Sequence, residues 1–198
     1  MKAFKVVSWR LFKYNMSLLQ ETDIHMESLL QSALSKEDIL QKVHTKVHSY
    51  SDLMTLDSID DIFDSKGRGI ILYANEDINT GHWVALCRQK NCIQFYDSYG
   101  YPPDFTGIST GASKQLEKIT GQAERRLLYL IRNSGSGIEY SNECIQNEEA
   151  SATCGKYCVV KLLFNEMPIS LFNRFIESSS AKYNLSNDQY ISLLYEIL

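Results

Sequence analysis

Apolar positions along the chain change period several times. Between residues 22 and 47 they recur at helical spacing. Ile24, Leu29, Leu30 and Ala33 form one stripe; Ile39, Leu40, Val43 and Val47 form a second. Thr22 stands where a cap would open the first helix, which runs through Ala33. Ser35-Lys36-Glu37-Asp38 reads as the cap of the second. Leu56 to Phe63 predicts a short helix, and Lys66-Gly67-Arg68-Gly69 a turn. Ile70 to Ala74 is then continuously apolar, the mark of a buried strand. Two further β-rich runs start at Gly81 and Cys92, joined by the polar Arg88-Gln89-Lys90-Asn91, and predict an antiparallel hairpin. Pro102-Pro103 and Gly107 to Gly111 predict a loop. A helix is predicted over Ser113 to Ile131, with Gly121 weakening its middle. Gly135 to Gly137 reads as a turn and Ile138-Glu139-Tyr140 as a short strand. From Cys154 the helical period returns through Cys158, Val159, Leu162 and Leu163. Met167-Pro168 breaks that helix, and two amphipathic helices follow, over residues 170–177 and 187–197.

Helices, then a strand group, then helices: this order predicts an α+β domain, a mixed sheet with helices packed on it. A chain of 198 residues is long enough for one well-buried domain and short for two. The expectation is a single domain over 1–198, with a mainly helical part to residue 65, a core over 70–165 and C-terminal helices over 166–198. Membrane-span candidates are absent from the sequence, and the basic, apolar start Met1 to Arg10 is too short and interrupted for a signal peptide. The expected location is therefore cytoplasm or nucleus, or a particle packaged there, with no membrane partner. Five cysteines, an odd number, fit reduced thiols better than a disulfide framework.

The chemistry converges on one thiol. Cys154 follows an irregular polar loop and opens a helix, where free N–H groups and the helix dipole favour a thiolate. His82 opens the first strand of the predicted hairpin and Asp97 closes the second, so the two lie side by side. Asp97 would fix the imidazole tautomer and leave the other ring nitrogen for the thiol. Gln146, one loop before Cys154, is placed to donate to an oxyanion together with the Cys154 backbone N–H. Asn142 and Asn147 are the alternative donors. The other thiols read more plainly. Cys158 lies one turn on, among apolar residues, and Cys87 and Cys92 sit in strands; Cys144 lies in a polar loop with no evident role. His25, His44 and His48 read as solvated. Neither Cys87/Cys92 nor Cys154/Cys158 has the close spacing of structural zinc, so neither a metal nor a cofactor is expected. A net charge of −4 argues against obligatory nucleic-acid binding. The local basic clusters are Lys2, Lys5, Arg10 and Lys13, then Arg125 and Arg126.

Gly81-His82-Trp83, Phe95-Tyr96-Asp97-Ser98-Tyr99-Gly100, Gln146 and Thr153-Cys154-Gly155 together resemble the adenain-type cysteine proteases. That clan includes the adenovirus maturation protease and the proteases that release ubiquitin-like modifiers. The wording is more similar to its viral branch: the maturation proteases of large DNA viruses, virophages and Polinton-type elements. The resemblance runs from about Ile70 to Leu163. It implies the adenain-like fold, with the nucleophile helix packed against the sheet and a groove at its start. It implies His82 as base, Asp97 as orienter, Cys154 as nucleophile, Gln146 as oxyanion donor and Trp83 beside the histidine as a substrate contact. It further implies a monomeric endopeptidase of the virion and infected cell, cleaving capsid or other structural precursors near glycine. This chain has Asp97 where the adenovirus enzyme uses Glu, and seven residues between Gln146 and Cys154, slightly more than usual. Other readings of the same residues are a deconjugase for a ubiquitin-like modifier, a clan-related acetyltransferase and a non-catalytic binding module.

Overall fold

A computed structural model describes residues 23–105, 112–147 and 151–198. The cluster Lys2, Lys5, Arg10 and Lys13, the Thr22 cap and the stretch Gly107 to Gly111 lie outside the described residues.

Seven helices and five strands follow one another among them. In order they are α1 (Asp23–Gln31), α2 (Lys36–Val43), β1 (Lys46–Ser49), β2 (Arg68–Ala74), β3 (Gly81–Arg88), β4 (Cys92–Tyr96), α3 (Lys114–Thr120), α4 (Arg126–Asn133), β5 (Gly137–Glu139), α5 (Cys154–Leu163), α6 (Ile169–Lys182) and α7 (Asn187–Ile197). The strands form one mixed sheet in the order β1-β2-β3-β4-β5. The outer pairs β1–β2 and β4–β5 are parallel and the inner two antiparallel. The fold is α+β, as the pattern predicts.

Both faces of the central strands are covered, which is why their sequences read as unbroken apolar runs rather than as alternation. On one face Ile70, Leu72, Trp83, Ala85, Cys87 and Tyr96 pack with α5, α6 and α7. On the other Ile71, Tyr73, Val84, Leu86, Ile93 and Phe95 pack with α4 and two 3₁₀ turns, Tyr50–Thr55 and Ile59–Ile62. Helix α5 is buried on every side from Gly155 to Leu162, lysines included. Lys161 survives there because its ammonium donates to Gln94 Oε1 (2.8 Å) and the Met167 carbonyl (3.0 Å); burial pushes its pKa down. Lys156 likewise reaches the Leu29 carbonyl.

Four local expectations are corrected. Val47 does not extend α2: His44 turns left-handed (φ 44°) and Val47 enters β1. Ala33 lies beyond α1 and is exposed, while Leu34 is buried. The segment Leu56 to Phe63 holds only the 3₁₀ turn, because Ser58 and Asp61 close a capping box around it. The long helix over Ser113 to Ile131 is two helices. Gly121 adopts φ 76°, a conformation favouring glycine, and ends α3. Gln122 then uses its amide to bond both the N–H (2.7 Å) and the carbonyl (3.1 Å) of Ala74 at the end of β2.

Candidate active site

The hairpin brings the histidine and the carboxylate together. Ala85 pairs with Tyr96, so Asp97, one residue past β4, arrives beside the start of β3. His82 Nε2 and Asp97 Oδ1 are 2.8 Å apart, and both side chains are buried. The same oxygen accepts the Tyr99 backbone N–H at 2.8 Å, which holds the carboxylate against the turn. With Nε2 donating to Asp97, Nδ1 remains for the thiol of Cys154. It is buried and, Cys154 aside, has no hydrogen-bond partner among the described residues.

Cys154 is the first residue of α5 and lies half-buried. Burial pushes its thiol up. The positive imidazole of His82 outweighs that, helped by the backbone N–H groups of Trp83 and Gly155, and the net pKa falls below the ordinary value of 9.0. The reciprocal effect acts on His82. Burial would lower its pKa, but the Asp97 carboxylate and the Cys154 sulfur push it up to about 10. The raised imidazole and lowered thiol favour a thiolate–imidazolium pair, a charged sulfur beside a protonated ring.

Trp83 frames the pair. Its indole N–H donates to the Leu34 carbonyl (3.0 Å), tying β3 to the α1–α2 connection. Its backbone carbonyl accepts the Cys158 thiol at 3.2 Å, so Cys158 is buried and occupied one turn below Cys154. Gly155 makes the close approach possible: a Cβ there would sit 3.0 Å from Leu34 and 3.1 Å from the Trp83 ring.

Gln146 is buried and held by Ser98. The Ser98 hydroxyl donates to Gln146 Oε1 (2.6 Å), and the Ser98 carbonyl accepts the N–H groups of Ile145 (3.0 Å) and Gln146 (3.2 Å). The Gln146 amide donates to the Ser151 carbonyl at 3.3 Å. That bond uses one of the two amide hydrogens. Asn142 and Asn147 are exposed, and the Asn147 N–H goes to Asp188.

Two contributors carried no role in the sequence reading. Tyr99 stacks on the imidazole and Ser98 seats Gln146, so the run Asp97-Ser98-Tyr99 serves the site at all three positions. A cavity of about 650 Å³ opens on His82 and Cys154. Its lining includes apolar Leu34, Leu72 and Trp83 and polar Asn75, Asn79 and Thr80.

The remaining residues separate from this centre. Cys87 is buried beside Lys161, Cys92 is half-buried and Cys144 is exposed. His44 is exposed, but His48 is half-buried on β1, against the expectation of a solvated side chain. Arg126 donates to the carbonyls of Leu53 (3.2 Å) and Leu56 (2.6 Å), so only Arg125 of that pair is fully surface-borne. Among the described residues no three His, Cys, Asp or Glu side chains converge as a metal site, and no helix is long and apolar enough to cross a membrane.

No protein-family model matches the chain. The chain is similar to Uncharacterized protein V9 of Sputnik virophage, 27% identical over 166 residues, which covers 82% of this chain and 93% of that protein.

Proposed function

We propose that this chain is an adenain-like cysteine endopeptidase that matures viral structural proteins. The observation that carries the reading is His82, buried between Asp97 and a lowered-pKa thiol at a helix start, with a cavity open beside it. The similarity to a virophage protein supports the viral setting. In the reaction the Cys154 sulfur adds to the scissile carbonyl carbon. The His82 imidazolium gives its proton to the leaving amine, and the C–N bond breaks to leave a thioester. His82 then takes a proton from water. The hydroxide attacks the thioester, and the acid product leaves with the thiolate restored. Gln146 and the Cys154 N–H are the proposed oxyanion donors. For Gln146 this role requires its second amide hydrogen, the first being held by Ser151.

The proposed substrates are capsid or other structural precursors cut near glycine, with the enzyme acting as a monomer in the virion or infected cell and without obligatory nucleic acid. Incubation with the proteins packaged in the same particle, followed by mapping of new N-termini, tests this. New termini next to glycine are expected; intact precursors after prolonged incubation with enzyme whose thiol is reduced contradict it.

A further inference from the structure

The turn that follows β4 touches two parts of the site at once. Asp97 Oδ1 lies 2.8 Å from His82 Nε2, and the Gly100 N–H donates to the Asp97 carbonyl at 3.0 Å, closing the turn. Ser98, between Asp97 and Tyr99, is fully buried. Its hydroxyl donates to Gln146 Oε1 at 2.6 Å, and its carbonyl accepts the backbone N–H groups of Ile145 and Gln146 at 3.0 and 3.2 Å. At the other end of the amide, Gln146 Nε2 donates to the Ser151 carbonyl at 3.3 Å. Gln146 is itself buried.

A carboxamide has an accepting end and a donating end of nearly the same shape, so its partners decide which end faces where. A carbonyl can only accept, which assigns Nε2 to Ser151. That bond alone would let the amide swing about it. The Ser98 hydroxyl holds the oxygen at the opposite end, and two anchors fix the amide plane. Both Nε2 hydrogens lie in that plane, so the direction of the second is fixed too; it has no partner among the described residues. We infer that Ser98 is a positioning residue for the proposed oxyanion donor: its hydroxyl holds the Gln146 amide so that one unpaired N–H keeps a single direction before reaction begins. This rests on the reading of Cys154 as the nucleophile and Gln146 as an oxyanion donor. The hydroxyl can be removed without redirecting the chain, because the Ile145 and Gln146 N–H groups bond the Ser98 carbonyl.

The test compares two reagents at one thiol. With p-nitrophenyl acetate the Cys154 sulfur adds to the carbonyl carbon, the carbonyl oxygen becomes negative, and p-nitrophenolate departs to leave a thioester. With iodoacetamide the sulfur displaces iodide, and no oxyanion forms. Both adducts on Cys154 are followed by mass spectrometry on the full chain at one pH. Wild type is compared with Ser98→Ala, Ser98→Gly, Gln146→Ala and the double variant Ser98→Ala/Gln146→Ala. Two Ser98 replacements remove the hydroxyl, so that poor folding of one leaves the other to be read. Either should slow acylation about tenfold, and Gln146→Ala about 10²-fold, with alkylation at the wild-type rate in all. The double variant should acylate no more slowly than Gln146→Ala, since no amide remains to be aimed. Wild-type acylation without the hydroxyl, an equal fall in both reactions, or a further loss in the double variant overturns the inference. Gln146→Ala acylating at the wild-type rate would remove the donor assignment and the inference with it. Wild-type Cys154 reacting no faster than the other thiols with either reagent would instead overturn the catalytic reading beneath both.

Discussion

The ring of Tyr99 lies flat on the ring of His82, with centroids 4.2 Å apart and planes 16° from parallel. An aromatic face favours a cationic partner by roughly 0.5–2 kcal/mol, so the stack supports the protonated imidazole. It also limits how the ring can turn. Tyr99→Ala should lower kcat by about tenfold with little change in melting temperature. Tyr99→Phe, which keeps the ring, should retain most of the rate. Equal losses in both variants would show that the phenol rather than the stack matters.

The pH profile follows from the paired shifts. Below the lowered Cys154 pKa the sulfur is protonated and inert. Above the raised His82 pKa, about 10, the imidazole lacks the proton that the leaving amine needs. The kcat/KM profile should therefore rise through a value below 9.0 and fall near pH 10. A single rise centred at or above 9.0 would show an unperturbed thiol attacking without an ion pair.

Asp97→Asn keeps the shape of the side chain and its place beside the Tyr99 N–H, but offers His82 Nε2 a weaker partner and lets the other tautomer form. The expected loss in kcat is on the order of 10²–10⁴, with the melting temperature within a few degrees of wild type. Unfolding of the variant, with normal activity per folded molecule, would make Asp97 a structural turn residue.

Gly155→Ala probes the packing that seats Cys154. The added carbon meets Leu34 at 3.0 Å and Trp83 at 3.1 Å, tighter than ordinary contact. A stability loss of about 1–3 kcal/mol is expected by chemical denaturation. No loss would mean that the α1–α2 connection yields without cost.

The placement of His82, Asp97 and Cys154 was legible because each part rests on local signals. A polar turn between β-rich runs predicts the hairpin, and the hairpin sets His82 beside Asp97. A polar loop before helical spacing places Cys154 at the start of α5. The parts that escaped depend on distant partners. Ser98 reads as a turn residue until Gln146 folds back onto it. Asp188 reads as an ordinary first-turn acid until α7 brings it to the Thr153 hydroxyl and the Asn147 N–H. Lys161 breaks the expectation that a helical lysine is solvated, because Gln94 and the Met167 carbonyl await it inside. β1 was missed because its four residues carry a single apolar side chain and gain their order from pairing with β2.

The central claim is that Cys154 is the nucleophile. Wild type, Cys154→Ala and Cys158→Ala are mixed with the precursor proteins, quenched in acid within the first turnover, and weighed intact. The account predicts an acyl adduct on Cys154 and new N-termini for wild type and for Cys158→Ala, and neither for a folded Cys154→Ala. Cleavage at the wild-type rate by Cys154→Ala would contradict it.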